Sequence, residues 1–317
     1  MTNKDKYRKF CETEDNLLIF QKDWWLDSVC EWNVVIIEKN NKIVAALPYV
    51  LEKQALFKLI TLPSLTQRMV LYIRYPKNQK YETKLSYEKK IMNQLLEQLP
   101  PYDVFNMNFH YTLKNWLPFY WNGFQQTTRY SYVLESLSDV DKLWANMNNK
   151  NRTDIRNAQK NIHIEVKDNI RLFYETVSQT FQRKNINIPY SFNTLNKMYE
   201  ASKVNNSVRL FFAYDSEKII HSAIMIVWDN EYAYYILGGS DTKLRTSNAN
   251  TLLLWEAIKF SSTVTKRFDF MGSMIEPLEK YFRSFGGTQE DYLQIFKTNS
   301  TLWRIKSFVM KLSRKFY

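Results

Sequence analysis

The sequence of 317 residues predicts an α/β protein in which one sheet-and-helix module occurs twice in tandem. Two observations carry this. The order hairpin, helix, strand, short helix with glycine, strand appears once in each half, and every glycine except Gly123 falls in the second copy, between Tyr232 and Gly287. Composition agrees, because 45% apolar and 16% aromatic residues suffice for a dense core in a chain long enough for two domains.

The first hairpin is Trp32 to Ile37, a polar turn Glu38 to Lys42, and Ile43 to Leu51. A helical stripe follows at Leu85, Ile91, Met92, Leu95, Leu96 and Leu99, halted by Pro100-Pro101. Tyr102 to Met107 reads as a strand, Phe119 to Phe124 as the short glycine-bearing helix, and Tyr130 to Leu134 as the closing strand. The second copy repeats this with Leu210 to Ala213 and Ile219 to Trp228, Thr251 to Phe260, Arg267 to Met271, Tyr281 to Gly286, and Tyr292 to Phe296. It also has a strand at Tyr232 to Leu237 and a turn at Gly238-Gly239-Ser240-Asp241. Between the copies, Ser138-Asp139 is a cap for a helix from Val140 to Lys160. A short strand at Ile162 to Val166 and helices at Arg171 to Arg183 and Phe192 to Val204 complete the link. The expected domains are therefore 1–135, a diverged scaffold copy, and 136–317, the copy that carries the chemistry.

The formal charge of +12, with the larger share of the excess after residue 135, points to anionic partners. No apolar run approaches the roughly 18–20 residues that cross a bilayer, and Met1 to Lys6 lacks the apolar core of a signal peptide. A cytoplasmic protein is expected. Cys11 and Cys30 make no disulfide framework, and with His110, His163 and His221 scattered there is no metal-ligand spacing. No metal is expected; His221, inside an apolar run, is either a core imidazole or a site histidine. From Leu302 to Phe316 the apolar residues Leu302, Ile305, Phe308, Val309, Leu312 and Phe316 share a helical face against Arg304, Lys306, Lys311, Arg314 and Lys315. Such a helix either packs on its own domain or lies on the inner face of an anionic membrane.

The segment Lys150-Asn151-Arg152-Thr153-Asp154-Ile155-Arg156-Asn157-Ala158 resembles the "R, three residues, R, then A" helix of the GNAT-like acyltransferases related to the Fem peptidoglycan-bridge aminoacyltransferases. Phe268-Asp269-Phe270 with Gly272, then Tyr281-Phe282-Arg283 and Phe285-Gly286, is similar to the family's second signature. Trp116-Leu117-Pro118 to Gly123-Phe124, with Arg129-Tyr130, resembles its inter-domain segment. The resemblance implies two tandem GNAT-like domains, each a mixed, mostly antiparallel sheet flanked by helices, as the repeat already suggests.

It also implies acyl transfer to an amine, which needs a bound thioester or ester, a deprotonated amine and donors facing the developing oxyanion, but no side-chain nucleophile. In the family two central strands splay apart and the next helix aims its N-terminus at the donor's pyrophosphate; here these are Tyr232 to Leu237, Arg267 to Met271 and a helix starting near Ser247. The family's phosphate loop reads Arg or Gln, two residues, Gly, one residue, Gly or Ala. This chain has Arg245-Thr246-Ser247-Asn248-Ala249-Asn250, with asparagine at both glycine positions. Gly239, Arg245, Ser247, Asn248 and Asn250 are the expected donor-binding residues, and an ordinary helix cap at Thr246 or Ser247 is the other reading of the loop.

Arg152, Arg156 and Lys160 fall at i, i+4 and i+8, a basic stripe suited to the phosphates of a nucleotide- or lipid-linked precursor or to a solvated face. Asp269 is a candidate to take the amine's proton, or a structural partner for Arg267 or Arg283. Arg283 stands where the family usually has lysine and keeps a phosphate or carboxylate contact available. Tyr281 is the candidate proton donor, with Tyr292 a further tyrosine available for that role, and Tyr235 lines the acceptor side. The expected function is an N-acyltransferase acting on an amine of a cell-envelope or surface-glycan precursor, with acyl-CoA, acetyl-CoA among them, or aminoacyl-tRNA as donor. Because the long helical-hairpin arm of typical Fem aminoacyltransferases has no counterpart here, acylation of an amino sugar is favoured over transfer from tRNA. The competing readings are a non-catalytic binding protein for an anionic polymer or membrane, and sequence-tolerant nucleic-acid binding, which would need a basic tract or reader motif absent from this sequence; sequence-specific nucleic acid is not an expected partner.

Overall fold

A computed structural model describes residues 1–183, 187–241, 243–272 and 274–313. The chain forms two compact units, Met1–Arg129 together with the segment from Tyr292 onward, and Tyr130–Asp291. The first contains α1 (Asn3–Thr13), α2 (Asp23–Val29), β1 (Asn33–Lys39), β2 (Lys42–Gln54), β3 (Phe57–Thr61), β4 (Tyr72–Ile73), α3 (Tyr81–Glu97), β5 (Val104–Asn108) and α4 (Leu117–Trp121). Strand β6 (Gln125–Leu134) leads into the second unit. There follow α5 (Val140–Asn146), α6 (Asn149–Ala158), β7 (His163–Val166), α7 (Ile170–Arg183), α8 (Phe192–Val204), β8 (Val208–Tyr214), β9 (Ile220–Trp228), β10 (Tyr232–Ser240), α9 (Ala249–Ser261), β11 (Arg267–Asp269) and α10 (Glu276–Arg283). Last come β12 (Thr288–Thr298) and α11 (Thr301–Ser313).

The strands of the two units follow one plan, which is the repeat seen in the sequence. In the first, β1, β2 and β3 run antiparallel, β3 pairs parallel with β5, and β5 pairs antiparallel with β12. In the second, β7, β8, β9 and β10 run antiparallel, β10 pairs parallel with β11, and β11 pairs antiparallel with β6. Each parallel step is bridged by a helix, α3 or α9, as parallel strands require.

The closing strands are exchanged, which corrects the expected boundary after residue 135. The strand following the first copy's short helix, β6, bonds through Val133 and Leu134 to β11, while β12, which follows the second copy's short helix, pairs Gln294–Thr298 with β5. From Tyr292 onward the chain thus belongs with residues 1–129 and not with a 136–317 domain, and Trp303 of α11 packs edge-on against Phe57 at 5.0 Å.

Two local expectations also change. The helix expected from Val140 to Lys160 is broken at Met147 and Asn148. Asn148 takes the Lys150 N–H on its side chain at 2.8 Å and gives its own N–H to the Ser284 carbonyl, so a second cap interrupts the helix. Gly238 and Gly239 do not turn the chain; they pair in register with Ile224 and Ala223 inside β10. An ideal Cβ on Gly239 would lie 2.7 Å from the Cα of Val177, so the glycine is what lets α7 lie against the strand.

In the second unit α9 is the central helix. Leu252, Leu253, Leu254, Trp255, Ala257 and Ile258 are all buried, and a helix apolar on every side must be covered on every side. Trp144 meets Trp255 at 5.2 Å, and Ile155 of α6 is fully enclosed in the same core.

Candidate active site

The site begins where two parallel strands part. Strands β10 and β11 pair only at Tyr232 with Arg267, Ala233 with Phe268, and Tyr234 with Asp269; β11 then ends while β10 runs on to Ser240. Asp269 causes the divergence. Fully buried, its Oδ1 accepts the Ser131 hydroxyl at 2.6 Å and the Met271 N–H at 2.7 Å, an Asx turn that bends the chain towards β6. Met271 and Gly272 follow at φ of 63° and 70°, and the Phe270 N–H bonds the Tyr132 carbonyl. At Gly272 a Cβ would stand 2.2 Å from the Tyr130 carbonyl oxygen, so only glycine fits. A bulge between Tyr235 and Leu237 shifts the register of β10 against β9 at the level where β11 departs.

In the first unit the corresponding gap is closed. After β3 pairs Leu59 and Ile60 with Val104 and Phe105, Met69 gives its N–H to the Asn108 carbonyl and accepts the His110 N–H, both at 2.8 Å. Among the described residues the first copy thus has no matching slot.

Beyond the opening in the second unit lies a cleft of about 360 Å³, lined by His221, Ser240, Leu244, Ser247, Asn248, Ala249, Asn250, Thr251, Pro277, Leu278 and Tyr281. One wall is the N-terminus of α9. Asn248 holds a left-handed conformation, φ 57° and ψ 18°, which asparagine tolerates better than most residues other than glycine. Its side chain does not cap the helix but donates to Asp154 Oδ1 at 3.3 Å. Asn250 donates to the Tyr281 hydroxyl at 2.9 Å, and its Oδ1 lies 3.0 Å from Ser222 Oγ. Both asparagine side chains are thus engaged with protein partners; in the first turn of α9 the Ala249 N–H meets the Ser247 hydroxyl at 3.4 Å and the Thr251 N–H the Asn248 carbonyl at 3.0 Å. A helix start of this kind attracts an anion by its N–H groups and dipole. The residues present fit a donor phosphate.

Tyr281 bridges the two walls: it takes the Asn250 bond and faces Thr251 Oγ1 at 3.4 Å. Burial pushes its phenol up to about 12, so it is a protonated donor at neutral pH. Burial also raises Tyr235, whose ring meets Phe282 at 5.9 Å. The Tyr235 hydroxyl occupies the space above Gly238, where a Cβ would be 2.1 Å away.

The structure brings Tyr281, Ser247, Asn248 and Asn250 together and sends the other candidates elsewhere. Gly239 is buried under α7. Asp269 shapes the opening and is not among the cleft residues. Arg152 folds back onto Asn149 and the Ala145 carbonyl, and the exposed Arg156 stacks over Trp144 at 5.5 Å, so neither lines the cleft. Exposed Arg283 pairs with Glu279 at 3.0 Å. For Arg245 only the backbone is described, in the short turn Arg245–Ser247 that precedes α9. Sequence reasoning passed over Ser222, Ser240, Pro277 and Leu278, whose small or apolar types give no chemical signal on their own. Among the described residues no three His, Cys, Asp or Glu side chains cluster as metal ligands, and no helix is long and apolar enough to cross a membrane.

Residues 145–283, from α5 to the end of α10, match the family model described as an acetyltransferase (GNAT) domain. This is a GNAT acyltransferase domain. Its core is the part that carries the β10–β11 opening and the α9 cleft. Over the whole chain the fold is Fem-like. FemX superposes with a TM-score of 0.66 at 12% identity, over 92% of this chain and 96% of that one. The C-terminal domain of a protein from Agrobacterium fabrum assigned as a lysylphosphatidylglycerol synthetase superposes with a TM-score of 0.58 at 10% identity, over 93% and 92%. A tandem GNAT protein of the clavulanic acid biosynthesis pathway does so at 0.51 and 9% identity, over 92% of each chain. At these identities the likeness is one of fold. No curated protein matches the chain in sequence.

Proposed function

We infer that the chain transfers an acyl group from acyl-CoA to an amine of a cell-envelope or surface-glycan precursor. The observation that carries this reading is the opening between β10 and β11 beside the N-terminus of α9, with protonated Tyr281 on the facing wall. When bound, the donor supplies an activated thioester carbonyl. The α9 amides hold its phosphates, the stretch of β10 beyond its pairing with β11 receives its arm, and Tyr281 protonates the departing sulfur. Asn248 and Asn250 are compatible with this because their side chains bond to Asp154 and to Tyr281 and Ser222. Aminoacyl-tRNA is the second donor, favoured by the fold shared with FemX.

An acceptor at the inner face of a membrane is supported by α11. Leu302, Ile305 and Phe308 are 68%, 57% and 64% exposed on one face, while Trp303 on the other side packs on Phe57 and carries Lys306 over its ring at 4.9 Å. Arg314, Lys315 and Phe316, and the side chains of Val309, Lys311 and Leu312, lie outside the described residues. Arg152, Arg156 and Arg283 lie outside the cleft and reach the precursor's phosphates by exchanging their present partners Asn149, Trp144 and Glu279.

Thermal unfolding with acetyl-CoA, free CoA and charged tRNA tests the donor. A ligand at a hundred times its Kd adds about 2.7 kcal/mol, a rise in Tm of roughly 5–10 °C for a domain of this size. Acetyl-CoA is expected to give it. A shift with charged tRNA alone would move the reading to aminoacyl transfer, and no shift with any donor would overturn it.

A further inference from the structure

His221 stands close to the start of β9 and lines the same cleft as Ser247, Asn250 and Tyr281, although it is only 8% exposed. Its Nε2 is 3.1 Å from Asp215 Oδ2. Asp215, in the turn between β8 and β9, is itself fixed: its Oδ1 accepts the N–H groups of Glu217 and Ile219, each at 2.9 Å. The Ile219 bond first, and His221 second, hold the Asp215 carboxyl below the usual aspartate range, so it remains a charged acceptor. An ionised carboxylate can only accept, so Nε2 carries the proton and Nδ1 presents its lone pair. That Nδ1 is buried and has no hydrogen-bond partner among the described residues. A histidine kept for packing alone gains nothing from an unpaired acceptor at the edge of a cleft.

We propose that His221, oriented by Asp215, is the base that receives the proton of the acceptor amine; this rests on the acyl-transfer reading above. As the amine nitrogen bonds to the donor's carbonyl carbon, the carbon–sulfur bond breaks. The nitrogen's proton passes to His221 Nδ1, and the imidazolium is stabilised by Asp215. The departing sulfur takes the Tyr281 proton, and both side chains then exchange with solvent to regain their starting states. His221 is a catalytic residue in this scheme and Asp215 a positioning residue.

The test uses wild type, His221→Gln and Asp215→Asn with acetyl-CoA and a panel of primary amines that includes UDP-linked amino sugars, following released thiol. For His221→Gln kcat is expected to fall roughly 10²–10⁴-fold, with partial rescue by free imidazole. KM for acetyl-CoA should stay within about threefold. Asp215→Asn should lower kcat less and leave that KM in place. An unchanged kcat, or a loss confined to KM, would overturn the proposal, the latter making His221 a donor contact. A second readout is independent of turnover: nitrogen-15 multiple-bond spectra should show neutral His221 protonated at Nε2, with an Nδ1 resonance that moves when amine and acetyl-CoA are added. Protonation at Nδ1, or no movement, would also overturn it. Absence of turnover by wild type with every amine would count against acyl transfer itself, and the spectra would then decide His221 alone.

Discussion

The carboxylate of Asp269 and the backbone N–H of Met271 meet at 2.7 Å, and this one bond sets where β11 stops following β10. A residue placed by its sequence context as a candidate base therefore works on the backbone, two positions along its own chain. The slot beside β10 exists because this turn, and the Ser131 hydroxyl that holds it, direct the chain away.

Replacing Asp269 by alanine should be felt first as lost stability. Hydrogen bonds to a charged group contribute about 1.5–3 kcal/mol each, so urea unfolding is expected to show a loss of at least about 2 kcal/mol. Asp269→Asn, which retains an acceptor, should recover part of it. An Asp269→Ala protein of wild-type stability but without activity would restore the chemical role.

Asn248 makes a sharper case, because two substitutions pull apart conformation and ligand. At φ 57° alanine costs about 1–2 kcal/mol, whereas glycine at a helix cap differs from asparagine by only a few tenths. Calorimetry with acetyl-CoA should show Asn248→Gly binding at least as tightly as wild type, since it removes a side chain beside the phosphate-facing amides. Weaker binding by the glycine variant would mean that the Asn248 amide itself contacts the donor.

Acid stability should depend on Glu279. Its carboxylate accepts the Tyr132 hydroxyl and, at 3.0 Å, Arg283 Nε; the tyrosine bond first and the arginine second hold it below the usual glutamate range. A depressed folded pKa means that the stabilisation is complete above the unfolded value of about 4.3 and disappears as pH falls through the folded value. Glu279→Gln should therefore cost up to about 1 kcal/mol near neutral pH and progressively less in acid, so that the two stability curves converge. Parallel curves from neutral to acid pH would show that the pair contributes nothing.

The exposed face of α11 separates membrane binding from folding. Serine at Leu302, Ile305 and Phe308 should change stability by no more than about 0.5 kcal/mol per site, because none of the three is covered. Sedimentation with vesicles containing anionic lipid should fall more than about tenfold, since each such side chain is worth roughly 1.5–3 kcal/mol when taken fully from water. Equal sedimentation of variant and wild type would remove the membrane from the proposal.

Much of this architecture was legible in one dimension. Apolar periodicity, proline stops and the glycine cluster are local properties, and they located both hairpins, α3, α9 and the doubled order of elements. Tolerance of a left-handed backbone is intrinsic to asparagine, so Asn248 was recognisable in its loop before its φ was known. What remained hidden depended on residues distant along the chain. Gly239 is required by Val177 of α7, Arg156 is occupied by Trp144, and Arg283 by Glu279, and no pattern of spacing reports such partners. The exchange of β6 and β12 was equally invisible, because a strand's own residues state that it will pair but not with which sheet. Sequence alone determined what each segment becomes, through torsional preference and burial. The tertiary structure decided which side chains share a cleft, because direction and contact arise only when separate segments pack.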